Sequence, residues 1–504
     1  MTCLSVIVVN LDLTILNIAL PAISAALHAG TGDLQWLVDA YSLVFAGVML
    51  PAGMAGDRLG RKRLLLAGLA VFLAASLWCA LSVSAGELIA ARALMGLGAG
   101  IVFPLSLAVV SAAFGDDDRP AAIGILTAAI ALALPLGPVL GGLLLQHFSW
   151  HSVFWINVPA TCLTLAAGAV LMPESRNPAA LPLDVPGALL PPGAVTCLVW
   201  GFINGPEHGW TAASTWMLLA GSAVLIAAFL AREHRSANPV IDPALFADKR
   251  FTWGTGATIA VSVALYGILF TAPQYLQSVL GEDPVSAALR LLPMMGGLLA
   301  GGGAASPVAR ASGTRLTVAT GLAVLAAGLA VLSQVHMAAS YAVVAAGLAL
   351  CGLGTGVSIG AAMNTVMTAA GGDEAGIGAS VNSALRNAGG AITVAVLGSV
   401  LSATYARDLR PALAALPVRD AATARASITQ AVQLASRLPS GGSALRTAAG
   451  TAFLHGMSII MLICAVVAVA AILTSLRYLP GRASGGTPPT PDPASAAPDT
   501  GKRR

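Results

Sequence analysis

The sequence predicts an all-α integral membrane protein of about fourteen transmembrane helices, built as two six-helix bundles with two inserted helices. Three observations carry this. Of 504 residues, 57% are hydrophobic and only 10% are charged, against about 25% charged in a soluble domain; mean hydropathy is +0.83. The apolar residues form runs of about 20 or more, the length a helix needs to cross a bilayer. The runs are continuous rather than alternating, which excludes a closed barrel.

Polar or Gly/Pro breaks divide the runs at 3–27, 34–55, 64–83, 86–112, 121–146, 151–172, 185–204, 212–231, 252–276, 285–308, 315–335, 339–364, 377–403 and 451–477. The first run starts directly after Met1 with no basic leader, which is not the pattern of a signal peptide. Residues 1–172 read as an N-terminal six-helix bundle, 173–250 as two inserted helices with a linker, and 251–479 as a C-terminal bundle. The last contains a long segment, 404–450, rich in Ala and Arg, with the composition of a surface helix. Residues 480–504 are rich in Pro, Ser, Gly, Thr and Ala and read as a disordered tail.

Basic residues set the expected orientation. With both termini in the cytoplasm, most of the 26 Lys and Arg fall in cytoplasmic loops and the tail, and the six short external loops hold none. The exception is six arginines in 404–450, a long loop of the kind the charge rule governs weakly. The densest basic cluster is Gly56-Asp57-Arg58-Leu59-Gly60-Arg61-Lys62-Arg63, a tight turn between the second and third runs. A fainter counterpart, Pro307 to Arg315, sits between two later runs. Repeated halves suit a carrier in which one bundle rocks against the other around a midplane site.

The chemistry concentrates on few residues. Asp12 lies about nine residues into the first run, roughly 14 Å at 1.5 Å per residue and so close to the bilayer centre. A charge there costs on the order of 2.5–3.5 kcal/mol, so the side chain should face a cavity or a partner. It reads as a proton-coupling group or as half of a permanent ion pair. Arg92, in the fourth run, is the candidate partner, with snorkelling to the interface as the alternative. Asp39 in the second run either joins the proton path, binds a cationic substrate, or sits in interfacial water. Asn17, Tyr41, Asn364, Asn382 and Arg386 are the polar candidates for a substrate cavity, with helix–helix hydrogen bonding as the alternative for Asn364 and Asn382. Pro135, Gly137, Pro138, Gly141 and Gly142 predict a kinked, closely packed fifth helix. Asp57 either locks one face closed through a helix end or an arginine or forms a surface salt bridge of little worth.

Other chemistries find no support. The glycines near Arg92 and those of Gly352-Leu353-Gly354-Thr355-Gly356 follow no strand, and no Walker-type GxxxxGK[ST] occurs, which argues against ATP-driven transport. Six cysteines lie inside apolar runs without metal-ligand spacing. Seven histidines lie mostly at span ends, with no nucleophile–base arrangement, so no enzyme and no cofactor is expected. The net charge of +4 comes from membrane-flanking loops without aromatic interleaving, so no nucleic-acid partner is expected.

Together the charged turn, Asp12 through Asn17 and Pro21, Trp36 and Tyr41, the Arg92 helix, Gly137-Pro138 with Gly141-Gly142, Trp150 with Ile156-Asn157-Val158-Pro159, Tyr275 to Gly281, Leu291-Leu292-Pro293, and Asn382, Arg386 and Gly389-Gly390 resemble the fourteen-helix drug:proton antiporter branch of the major facilitator superfamily. The resemblance implies that Asp12 is the coupling carboxylate and Arg92 its relay partner. It makes the fifth-helix glycines and proline an exchange-specific kink, and Gly56, Asp57, Arg58, Gly60 and Arg61 the gating loop. The expected protein is a monomeric proton-coupled exporter of amphipathic or cationic molecules in the cell membrane, with protons, a small-molecule substrate and the lipid bilayer as its partners. Rival readings are a dedicated exporter of one secondary metabolite, an uptake symporter, and a non-transporting receptor or assembly protein.

Overall fold

The computed structural model describes residues 1–113, 119–172, 174–176, 185–235, 246–370, 375–414, 416–438 and 441–479; the predicted disordered tail, 480–504, lies outside them. The described residues are helical, without a strand. The first group comprises α1 (Thr2–Leu27), α2 (Thr31–Leu59), α3 (Arg61–Leu81), α4 (Ala85–Ala113), α5 (Arg119–His147), α6 (Ser152–Trp155) and α7 (Asn157–Leu171). Then come α8 (Val185–His208) and α9 (Ala213–Glu233). The second group opens with α10 (Lys249–Gln274), which ends in a π-turn at Tyr275–Val279. It continues with α11 (Pro284–Arg290), α12 (Leu292–Ser312), α13 (Thr314–Ser333), α14 (Tyr341–Ala370), α15 (Ala375–Leu413), α16 (Val418–Ala426), α17 (Ile428–Arg437) and α18 (Gly442–Tyr478).

Eleven of these spans are long and apolar enough to cross a bilayer, counting α6 with α7 and α11 with α12 as one each; α2, bent by 48° between Met49 and Pro51, makes twelve. The bend falls where proline removes a backbone donor. The predicted fourteen exceeds that count; α5 and α8 occupy the two remaining positions and are helical. The predicted loop 404–450 is largely helical too. α15 runs ten residues past its predicted end and α18 starts nine residues early, because Ala, Leu and Arg are strong helix formers. The segment between them forms two short helices with one face outward, Val418 and Arg419 being exposed, while Ala424, Ile428 and Ala431 are buried.

Element ends follow local chemistry. Asp248 caps α10 by accepting from the Arg250 amide at 2.7 Å. Asp283 caps α11 by accepting from the Val285 and Ser286 amides, with Pro284 in the first turn. The Ser286 hydroxyl, with those amides, holds the Asp283 carboxyl below its usual range. Gly60 joins α2 to α3 with φ 114°, and Gly313 joins α12 to α13 with φ 85°. Both are one-residue joints in a conformation that only glycine adopts freely. In both, the glycine amide donates to the carbonyl four residues back (Gly56 and Ala309) and its carbonyl accepts from the amide four ahead. The faint sequence repeat is therefore a repeat of backbone geometry.

Within the first group α1 packs on α5, and α2 and α3 pack on α4; in the second, α12 and α13 pack on α14. The Gly352 and Gly356 cluster serves this packing. A Cβ at Gly352 would lie 1.9 Å from the Met294 carbonyl oxygen, and one at Gly356 would lie 2.2 Å from that of Leu298. The groups meet where α2 faces α15, where α5 faces α11, and where α1 faces α10 and α17. Every hydrogen bond between described residues that crosses between the groups lies at the end opposite the charged turn. α8 lies against both α2 and α15. Pro192 fills the space beside Gly47, Val199 and Ile203 cluster with Leu43, Ala391 and Ala395, and Trp200 meets Trp36 edge to face at 5.9 Å.

Candidate functional site

α1 and α4 bring Asp12 and Arg92 together in the first group. Arg92 Nη1 donates to Asp12 Oδ2, and the two residues are 0% and 1% exposed. Arg92 therefore does not snorkel. Its Nε donates to the Leu37 carbonyl at 3.2 Å, and its guanidinium lies over the Tyr41 ring, 4.3 Å from the centroid. The Tyr41 hydroxyl donates to the Val9 carbonyl at 3.3 Å. On the other side, Asn157 Nδ2 donates to Asp12 Oδ1 at 3.3 Å. Removing two charges from water costs several kcal/mol per ion, and only close pairing with added hydrogen bonds offsets that. Four helices, α1, α2, α4 and α7, supply those bonds.

Glycine makes the approach possible. Gly96, one turn after Arg92, faces α2, where a Cβ would stand 2.4 Å from the Tyr41 carbonyl oxygen. At Gly100 a Cβ would stand 2.8 Å from that of Phe45. The fifth-helix motif splits its work. Gly137 lies against Thr14 and Gly141 against Ile15 and Ile18, so α5 abuts α1 beside Asp12. Gly142 faces the second group, where a Cβ would stand 2.8 Å from the Pro284 carbonyl oxygen, and Pro138 is buried.

Asp39 is not at a water interface. It is 0% exposed, and neither carboxylate oxygen has a hydrogen-bond partner among the described residues. One turn earlier, Gln35 donates across to the Val394 and Ala395 carbonyls of α15 at 3.2 and 2.9 Å. Asp39 thus lies one turn from the contact between groups, as a buried carboxyl whose oxygens accept no hydrogen bond from the described residues.

The charged turn is tied to its own group. Asp57 pairs with Arg61 at 2.8 Å, and Arg61 also donates to the Ala108 carbonyl at 3.4 Å. Leu105 occupies the space a side chain at Gly56 would need, and Arg58 is exposed. Glu174 accepts from the Lys62 amide at 3.1 Å and lies 3.6 Å from Arg63.

The five cavity candidates do not converge. Tyr41 belongs to the Arg92 site. Asn17 donates to Leu13 of its own helix at 2.9 Å. Asn382 accepts from the Thr258 hydroxyl at 2.8 Å, Asn364 is exposed, and Arg386 is half-buried with no ion pair among the described residues. Sequence reasoning did not give Asn157 or Glu174 a role. The available signals were an amide inside an apolar run and a lone acid just past the sixth span.

Two groups of membrane helices joined at one end, with a sealed carboxylate–guanidinium pair inside one of them, define a helical membrane transporter. The chain belongs to the Major Facilitator Superfamily, whose family model matches residues 2–394. It is 36% identical over 413 residues to the multidrug resistance protein Stp of Mycobacterium tuberculosis, covering 82% of this chain and 77% of that one. It is 32% identical over 481 residues to the tetracenomycin C resistance and export protein of Streptomyces glaucescens, covering 94% and 89%. Identity to the multidrug efflux pump LfrA of Mycolicibacterium smegmatis is also 32%, covering 93% of each. Among solved structures, a bacterial homologue of the human lysosomal transporter Spinster, inward-facing and unoccupied, superposes with TM-score 0.67 at 15% identity, covering 95% and 96%. At that identity the likeness speaks for the fold.

Proposed function

We propose that the protein exports small amphipathic or cationic molecules, antibiotics among them, in exchange for protons by alternating access. The observation that carries the reading is the buried Asp12–Arg92 pair. A scaffold has no need to hold a carboxylate and a guanidinium away from water, whereas a carrier gains from a carboxyl whose charge decides how tightly its helices are held. Protonating Asp12 removes the charge that holds Arg92; losing the proton restores it. Asp12 is sealed in this conformation, so proton entry and exit belong to the opening motion. That motion is the rocking of residues 1–172 against 251–479. Asp57 and Arg61, paired with each other here, would exchange that pairing for contacts with the second group when the charged-turn end closes. With the termini cytoplasmic, the end held shut here is external and the cargo enters from inside.

A second reading, export of one dedicated metabolite, draws support from the relative named for tetracenomycin C export. The two separate in one assay. Proteoliposomes are given a panel of chemically unrelated drugs, and drug-dependent proton movement is followed. Movement with many compounds supports the broad exporter; movement with one polyketide alone supports the dedicated one.

Asn157 has a positioning role in this scheme, since its amide is the donor to Asp12 Oδ1. A hydrogen bond to a charged group contributes roughly 1.5–3 kcal/mol. Asn157→Leu should therefore slow proton-driven export by about tenfold or more and alter its pH profile, while binding of a fluorescent drug changes little. An unaltered pH profile with normal export would show that Asn157 only packs.

A further inference from the structure

We propose that α16 and α17 form a latch that belongs to the second group and fastens the first group to it at the end opposite the charged turn. The segment is bounded on both sides by helices of the second group, α15 and α18. Side-chain bonds also hold it there: the Tyr405 hydroxyl donates to the Ala424 carbonyl at 3.1 Å, and Ser278 and Thr429 share a hydroxyl bond at 2.9 Å. Across the divide, Ser427 meets Ser24 at 3.2 Å. Thr31 donates to the Ala426 carbonyl at 3.0 Å, and Gln430 Nε2 donates to the Ala29 carbonyl at 2.9 Å.

The first group presents a shaped receptor for this segment. α1 ends at His28 with φ 52°, the one described residue other than glycine in the left-handed region. Such a backbone is uncommon outside glycine, asparagine and aspartate. Just past that bend, the Ala29 carbonyl accepts from both Ser24 Oγ, at 2.7 Å, and Gln430. The crossing contacts are all between neutral groups. They can part without stranding a charge, while buried Ala424, Ile428 and Ala431 keep the segment seated. A fixed seal has no need of neutral, individually weak contacts across one face; a seal that opens once per cycle does.

The proposal rests on alternating access, and two measurements keep the two ideas apart. The first uses disulfide cross-links formed with copper phenanthroline. Thr31→Cys with Ala426→Cys ties the latch to the first group. Oxidation should abolish ethidium-driven proton exchange in proteoliposomes, and dithiothreitol should restore it. Ser278→Cys with Thr429→Cys ties the latch to its own group and should leave exchange unchanged. Normal exchange by the first cross-linked protein, or a block by the second, overturns the latch. The second measurement needs no transport. Spin labels on exposed Arg419 of the latch and exposed His147 of the first group should show a second, longer distance when pH is lowered or ethidium added, while labels at Arg419 and His336 keep one distance. An unchanging Arg419–His147 distance overturns the latch. Two distances in a protein that moves no protons support the latch and sink the coupling reading instead.

Discussion

Asp12→Asn should abolish drug-driven proton movement while leaving drug binding measurable. The amide keeps the shape and one acceptor for Arg92 but cannot exchange a proton, so coupling is lost even where the fold survives. It also leaves the Arg92 guanidinium, 1% exposed, without its counter-charge. Breaking a buried pair on one side costs about 3–5 kcal/mol, so a lowered Tm should accompany the loss. Arg92→Ala should do comparable damage by leaving the carboxylate alone. The double variant should be no worse than the worse single one, because residues in one buried network do not add. Proton flux in proteoliposomes and thermal unfolding in detergent check this. Gradient-driven export by Asp12→Asn at the unmodified rate would remove Asp12 from the mechanism.

Gly96→Val should prevent the site from assembling. Even a bare Cβ there would lie 2.4 Å from the Tyr41 carbonyl oxygen, and the neighbouring Cα is 3.0 Å away. Backbone cannot rotate aside as a side chain can, so α2 and α4 must separate. Leu37 and Tyr41, which hold Arg92, ride on α2 and would move with it. Overpacking of this kind costs typically about 1–3 kcal/mol, and here it also loosens a charged pair. We expect low yield of folded protein and no transport. A control, Gly86→Ala, adds a Cβ in open space on the same helix and should leave both yield and transport near normal.

The membrane helices were legible because burial in lipid demands unbroken apolar runs, and the runs were present. The Asp12–Arg92 pairing was legible for a similar reason: two charges deep in apolar helices need each other. Residue type misled where packing decides. Tyr41 reads as a cavity residue, but its face supports a guanidinium and its hydroxyl is used by Val9. Asp39 reads as a candidate for interfacial water, yet it is sealed, since depth along a helix does not say which way a side chain turns. Asn157 was missed as a partner because an amide in an apolar run carries no sign of what it binds. Residues 404–450 were least legible. Their Ala- and Arg-rich composition marks helix but not position, and their decisive contacts are hydroxyls and amides reaching residues about 400 positions earlier.

The placement of α8 along both α2 and α15 bears on how cargo reaches the protein. Greasy compounds dissolve in the bilayer, and a bare cleft between two helix groups would admit them sideways from the acyl chains. Here the stretch of that cleft near Leu43 and Ala391 is roofed by Val199 and Ile203, so lipid tails meet the inserted helix first. On the proposed exporter reading, compounds partitioned into the membrane should therefore be turned away along that flank.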